Sequence, residues 1–207
     1  MMHIPNEVES TQQEQLMQAQ AWLERDLYQL EQMVQTLQDF YSLTPGDIKH
    51  LNRHAKRTIL SMLPALVDSI FIRIARLTEP AKRCGRDNLT LGSLVHLLRA
   101  SGEKLKSDKI ESLLKNVQLN SSSIREDHRN KRYAHIDFSV ALNSKKLPPV
   151  PVRLIREVTD SIQHLVLEAT DSGYSFKATP QGNIKRLAET LGDYYELKTA
   201  NMKIRND

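Results

Sequence analysis

The strongest constraint on this fold is a helical stripe at the start of the chain. From Val8 to Leu43, apolar side chains recur at Leu16, Ala19, Leu23, Leu27, Leu30, Val34, Leu37 and Tyr41, at intervals of three and four. That period specifies one long amphipathic helix. Its apolar face is about one face wide, which a single packing partner satisfies. Packing along its own bundle is therefore expected rather than contact with a partner chain.

Thr44-Pro45-Gly46-Asp47 ends this helix with turn formers that also suit a helix start. A second helix is expected from Asp47 to Leu77, with a later half apolar on nearly every side and a kink at Pro64. Glu79-Pro80 stops it. Residues 81–90 read as a polar loop, and Thr90 or Asn88 caps a short helix over Leu91 to Arg99. Lys104 to Val117 follows, then a loop at Asn120-Ser121-Ser122-Ser123 and a helix beginning near Ile124. Leu147-Pro148-Pro149-Val150-Pro151 is a rigid connector. Beyond it, Val152 to Ala169 turns Leu154, Ile155, Val158, Ile162, Leu165 and Val166 inward. Residues 171–183 form a hairpin or a loop, and Ile184 to about Ala200 forms a last helix.

With 207 residues, 7 Gly and 8 Pro, the composition fits one domain richer in helix than in turns. The expected architecture is all-α, an up-and-down bundle with a long N-terminal helix and an additional C-terminal helix. Residues 1–207 form one domain, its core at about 20–170 and a C-terminal extension at 171–207. The lone Cys84 excludes an intramolecular disulfide framework. Met1 to Asn6 lacks a secretion-signal pattern, and Pro64, Asp68, Arg73 and Arg76 interrupt the longest apolar region. These features point to a soluble cytoplasmic chain without a membrane partner.

Charge is unevenly spread. Residues 1–46 carry one basic side chain, Arg25, against seven acidic ones, whereas the remainder holds 28 basic against 18 acidic, a balance of +10. A basic body either serves a polyanionic partner such as nucleic acid or supplies ordinary solubility charge.

The segment Arg129-Asn130-Lys131-Arg132-Tyr133-Ala134-His135 concentrates cations and ends in a histidine. RNA cleavage needs a base for the ribose 2′-hydroxyl proton and a cation for the pentacovalent phosphorus intermediate. Histidine and arginine supply both near neutral pH without a metal. The bare spacing is weak, because 15 Arg and 7 His in this chain give roughly one chance match. On a regular helix the two side chains stand about 120° and about 9 Å apart. They therefore flank a groove, converge through a helix distortion, or meet across a dimer. The competing reading is a solvated basic surface with His135 as a cap or satisfied core residue.

This segment resembles the Arg-x(4–6)-His signature of HEPN domains, with Asn130 matching the polar residue that follows the arginine. Ile74-Ala75-Arg76-Leu77-Thr78-Glu79-Pro80, Asn88-Leu89-Thr90-Leu91-Gly92-Ser93-Leu94 and Ala134-His135-Ile136-Asp137 look like the abortive-infection AbiU-type branch. The resemblance covers roughly residues 20–170. It implies a HEPN-type bundle acting as a metal-independent, cofactor-free endoribonuclease, a homodimer whose two motifs line one cleft. It further implies a toxin or phage-defence role. Arg129 then stabilises the scissile phosphate, His135 is the acid–base group, and Asn130 orients the phosphate or the histidine. Lys131 and Arg132 hold flanking phosphates of the RNA. Some such toxins carry a tyrosine two residues after the histidine that an antitoxin nucleotidyltransferase modifies. Asp137 stands there in this chain, which departs from that mode of inactivation. Several members are non-catalytic modules that bind nucleic acid, nucleotide or protein.

Other candidates are weaker. His50 and His54 share a helical face, but the sequence places no third metal ligand, and a solvated surface is the simpler reading. Arg73 and Arg76 either reach a cleft or, as arginines on a core helix more often do, pair with a carboxylate such as Asp68 or Glu79. Tyr133 either stacks on a base or packs inside the helix, and Cys84 lacks an adjacent base. A third class of function is a helical scaffold whose basic charge is incidental.

Overall fold

The computed structural model describes residues 7–83, 85–128 and 149–170. The expected helix at 184–200, the alternatives for 171–183, and the span of the domain beyond Thr170 lie outside the described residues. Helix α1, Glu7–Tyr41, runs the length of the bundle and buries Leu16, Ala19, Leu23, Leu27, Leu30, Val34, Leu37 and Phe40. The stripe is the expected one except at its end. Tyr41 is 70% exposed and Phe40 takes the inward position.

Thr44 caps α2, Pro45–His54, through a capping box: its Oγ1 accepts from the Asp47 amide, and the Asp47 carboxylate accepts from the Thr44 amide. Helix α3 spans Lys56–Thr78. The expected single helix is thus broken at Ala55, at φ −132°, and not at Pro64, which lies inside α3. The break turns α2 so that Leu51 packs on Phe40 while α3 runs beside α1. Pro64 is exposed, as is Leu60, whose carbonyl its ring leaves without an amide.

The expectation of a core helix also needs correcting. Only the C-terminal part of α3 is sealed, through Ile70, Phe71, Ile74, Ala75, Leu77 and Thr78, while Leu60, Met62 and Ile72 face solvent. Among the described helices, α3 is long and apolar enough by length and composition to cross a membrane. Its second half is instead part of the bundle core, and Arg73 and Arg76 on it are both ion-paired to Asp26 of α1.

Within the expected loop the chain forms a small antiparallel hairpin, β1 at Lys82–Arg83 and β2 at Arg86–Asp87. Gly85 supplies the left-handed turn conformation at φ +75°. Thr90, not Asn88, caps α4, Leu91–Ala100, by accepting from the amides of Gly92 and Ser93. A Schellman-like end follows, with Glu103 N–H donating to the Leu98 carbonyl and Gly102 at φ +88°. Helix α5, Lys104–Asn120, returns along α4, and α6, Val152–Thr170, closes the bundle. Helices α1, α4, α5 and α6 form a ring in which α1 and α5 each touch α4 and α6, and α3 lies along α1. The ion pair Arg156–Glu31 and the bond from Gln20 to the Ala169 carbonyl show that α1 and α6 run antiparallel.

Candidate functional site

Arg129, Asn130, Lys131, Arg132 and His135 all lie outside the described residues, as do Tyr133 and Cys84. The alternatives for Arg129 and His135, flanking a groove, converging through a helix distortion or meeting across a dimer, lie there too. The structure does describe how the chain arrives at this motif. After Ser121 the backbone is helical over 122–128, and its last five residues take the wider π-helical hydrogen-bonding pattern. Such turns are often found at functional sites, where one extra residue per turn re-aims the side chains that follow.

Three contacts fix this turn. Ile124 is fully buried in the core. Arg125 donates to the Gln118 carbonyl at 2.9 Å, and the Gln118 side chain donates to the Thr78 carbonyl at 3.0 Å. The last turn of α5 is thereby tied to the last turn of α3. His128, buried at the position before Arg129, packs edge-on against Phe71 with ring centroids 5.0 Å apart. On the far side, Val150 and Val152 pack against the core as the chain enters α6. The segment that carries the motif therefore leaves from and returns to anchored positions.

Sequence reasoning did not single out Arg125 or His128, both of which stand within four positions of Arg129. Their charge and spacing were visible. Their contacts, made to α5 and α3, were not.

Arg73 and Arg76 follow the carboxylate alternative, but with a different partner. Both bond Asp26 Oδ1, and the Arg76 guanidinium also lies 5.1 Å over the Trp22 ring. Among the described residues no group of three or more His, Cys, Asp or Glu converges as a metal site, and His50 is half-buried on α2.

Elsewhere the bundle is held by charged pairs at its seams. Burial disfavours the Arg156 cation, yet hydrogen bonds to Glu31 and Asp160 outweigh that effect and hold its pKa above the ordinary arginine value. On the α4–α5 seam, Arg99 reaches both Asp108 and Glu111 at 3.0 Å. A cleft of about 540 Å³ at the hairpin is lined by Lys82, Asp87, Asn88, Ser93 and His96 among others. Its described lining includes none of residues 122–128.

The described helices form an all-α bundle consistent with the HEPN type. A family model of that class, described as AbiU2, matches residues 15–176, so the chain belongs to the HEPN AbiU2 family. No curated protein and no solved structure gives a significant match.

Proposed function

We propose that this protein is a metal-independent endoribonuclease of HEPN type. The observation that carries the reading is that Arg129-Asn130 and His135 fall inside the family match at residues 15–176. The anchored lead through Arg125 and His128 supports it, because catalysis requires a held first residue.

In this mechanism His135 takes the proton of the ribose 2′-hydroxyl, and the 2′-oxygen attacks the adjacent phosphorus. The bond to the 5′-oxygen breaks, and that oxygen leaves with the proton that His135 gives up. The products are a 2′,3′-cyclic phosphate and a 5′-hydroxyl. Arg129 stabilises the charge on the pentacovalent phosphate, Asn130 orients the phosphate or His135, and Lys131 and Arg132 hold flanking phosphates. A homodimer with two motifs lining one cleft and a cytoplasmic toxin or phage-defence role complete the reading. An antitoxin partner, such as a nucleotidyltransferase, belongs to the same reading.

The test is cleavage of total cellular RNA in EDTA by the wild type beside His135→Ala and Arg129→Ala, with circular dichroism confirming that each is folded. Fragmentation lost in both variants is the expected result. Equal cleavage by all three, or none by the wild type, overturns the assignment. The second reading, a non-catalytic module, rests on the +10 body outside residues 1–46 and predicts salt-sensitive RNA binding without cleavage.

A further inference from the structure

The cleft of about 540 Å³ beside the hairpin is open, and its volume lies within the range of small-molecule sites. Gly92, in the first turn of α4, lets the chain at Ala81 lie close along one side of it. A Cβ at Gly92 would stand 3.3 Å from the Ala81 amide nitrogen. The Asn88 amide donates to the Ala81 carbonyl at 2.7 Å and closes the hairpin onto the same place.

Lys82 and Asp87 are register partners across the hairpin, so their side chains share one face of the ribbon, and both line the cleft. Neighbours of opposite charge at such positions attract each other. These two nevertheless make no ion pair with each other or with another described residue. Asn88 and His96, also in the lining, make no side-chain hydrogen bond among the described residues. Leu89 and Leu97 supply apolar surface beside these polar groups.

This mixture selects among ligands. A bare anion would meet Asp87 beside Lys82 and leave both leucines unused. A purely apolar ligand would desolvate Lys82 and Asp87 without giving either a partner. A ribonucleotide uses every group: Lys82 and His96 take the phosphate, and Asp87 accepts from the 2′-hydroxyl. Asn88 then meets the base edge, and the leucines meet its faces.

Position joins the cleft to the lead into Arg129. The hairpin begins four residues after Thr78, the last residue of α3, and Ala81 is at most about 11 Å of extended chain from it. The Thr78 carbonyl accepts from the Gln118 side chain, and the Gln118 carbonyl accepts from Arg125. Cleft and lead are therefore both tied to the last turn of α3. We propose that the hairpin cleft is a subsite for one ribonucleotide of a bound RNA strand. The inference rests on the reading that this chain acts on RNA, and binding is measured apart from cleavage so that each can fail alone.

The test is NMR titration of the full chain with 5′-ribonucleoside monophosphates, read at the His96 ring, whose signals are assigned by their loss in His96→Gln. Saturable shifts are expected, with affinity about tenfold weaker for the 2′-deoxy forms and about tenfold weaker in Lys82→Ala. Asp87→Ala should abolish the preference for ribose, a readout that a structural role would not move. In the His135→Ala chain, a short labelled RNA oligonucleotide should displace the mononucleotide and, by anisotropy, bind several times more weakly once Lys82→Ala is added. Lys82, Asp87 and His96 are exposed, and matched circular dichroism shows that the variants fold.

No saturation, shifts that inorganic phosphate reproduces equally, or a ribose preference that survives Asp87→Ala overturns the proposal. Mononucleotide binding that RNA does not displace assigns the cleft to a free nucleotide and overturns it as well. RNA held through the cleft but never cut by the wild type leaves the subsite in place and removes the ribonuclease reading alone. RNA cut by the wild type, with an affinity that Lys82→Ala and His96→Gln leave unmoved, removes the subsite alone.

Discussion

Asp26 sits 5% exposed between two guanidinium groups that approach it from α3. A carboxylate so enclosed is retained because both cations share one of its oxygens, and removing it leaves Arg73 largely buried without its counter-charge. Arg76 is about half exposed, so water screens part of the loss. We expect Asp26→Ala to cost about 2–3 kcal/mol in urea unfolding, below the full penalty of a sealed ion pair. A loss under about 1 kcal/mol would show that solvent already compensates both arginines. The sequence favoured a carboxylate partner for Arg73 and Arg76 over a place in a cleft, because two cations on an apolar helix are costly alone. It did not show which one. Asp68 and Glu79 are near in sequence, whereas Asp26 is brought in by the antiparallel packing of α1 on α3, 47 residues away from Arg73.

Helix α1 was readable because its period repeats through some ten turns, so the pattern outweighs any single residue. The α2–α3 boundary was not. Alanine carries no breaker signal and proline carries a strong one, yet the chain breaks at Ala55 and runs through Pro64. The gain that decides it is tertiary, the seating of Leu51 on Phe40. The site divides in the same way. Arg129 and His135 are visible as a pattern, while the anchoring of their lead to Thr78 and Phe71 is a long-range matter that spacing does not encode. Caps were local and readable. Thr90 and Ser93 satisfy each other's amides, and Thr90→Ala should lower stability by about 1 kcal/mol, read by thermal unfolding against Asn88→Ala, which should do little. The α4–α5 seam makes a pH prediction. The Arg99 hydrogen bond, aided by Lys115, holds the Glu111 carboxyl below the ordinary glutamate value. Its stabilising effect is therefore present above the unfolded-state pKa and is lost as pH falls through the lower folded value. Carboxyl NMR titration should show Glu111 moving back upward in Arg99→Leu, and an unmoved titration would remove Arg99 as the cause.

For the molecule as a whole, the charge partition links fold to partner. The acidic residues of α1 that matter most to packing, Asp26 and Glu31, are used inside the bundle on Arg73, Arg76 and Arg156. The +10 balance outside residues 1–46 is therefore reduced by these internal pairs, and only unpaired cations remain for a polyanion. Counterion release lets that remainder be counted. Affinity for single-stranded RNA falls with salt by about 0.7 in log–log slope for each phosphate neutralised. If Lys131 and Arg132 each hold one phosphate, their replacement by alanine should reduce the slope by about 1.4. The measurement uses a 2′-O-methyl oligonucleotide, which lacks the attacking hydroxyl and so reports binding without cleavage. A slope that ignores the replacement of Lys131 and Arg132 would remove both from the RNA path, and the functional reading of the Arg129–His135 segment would lose its phosphate contacts.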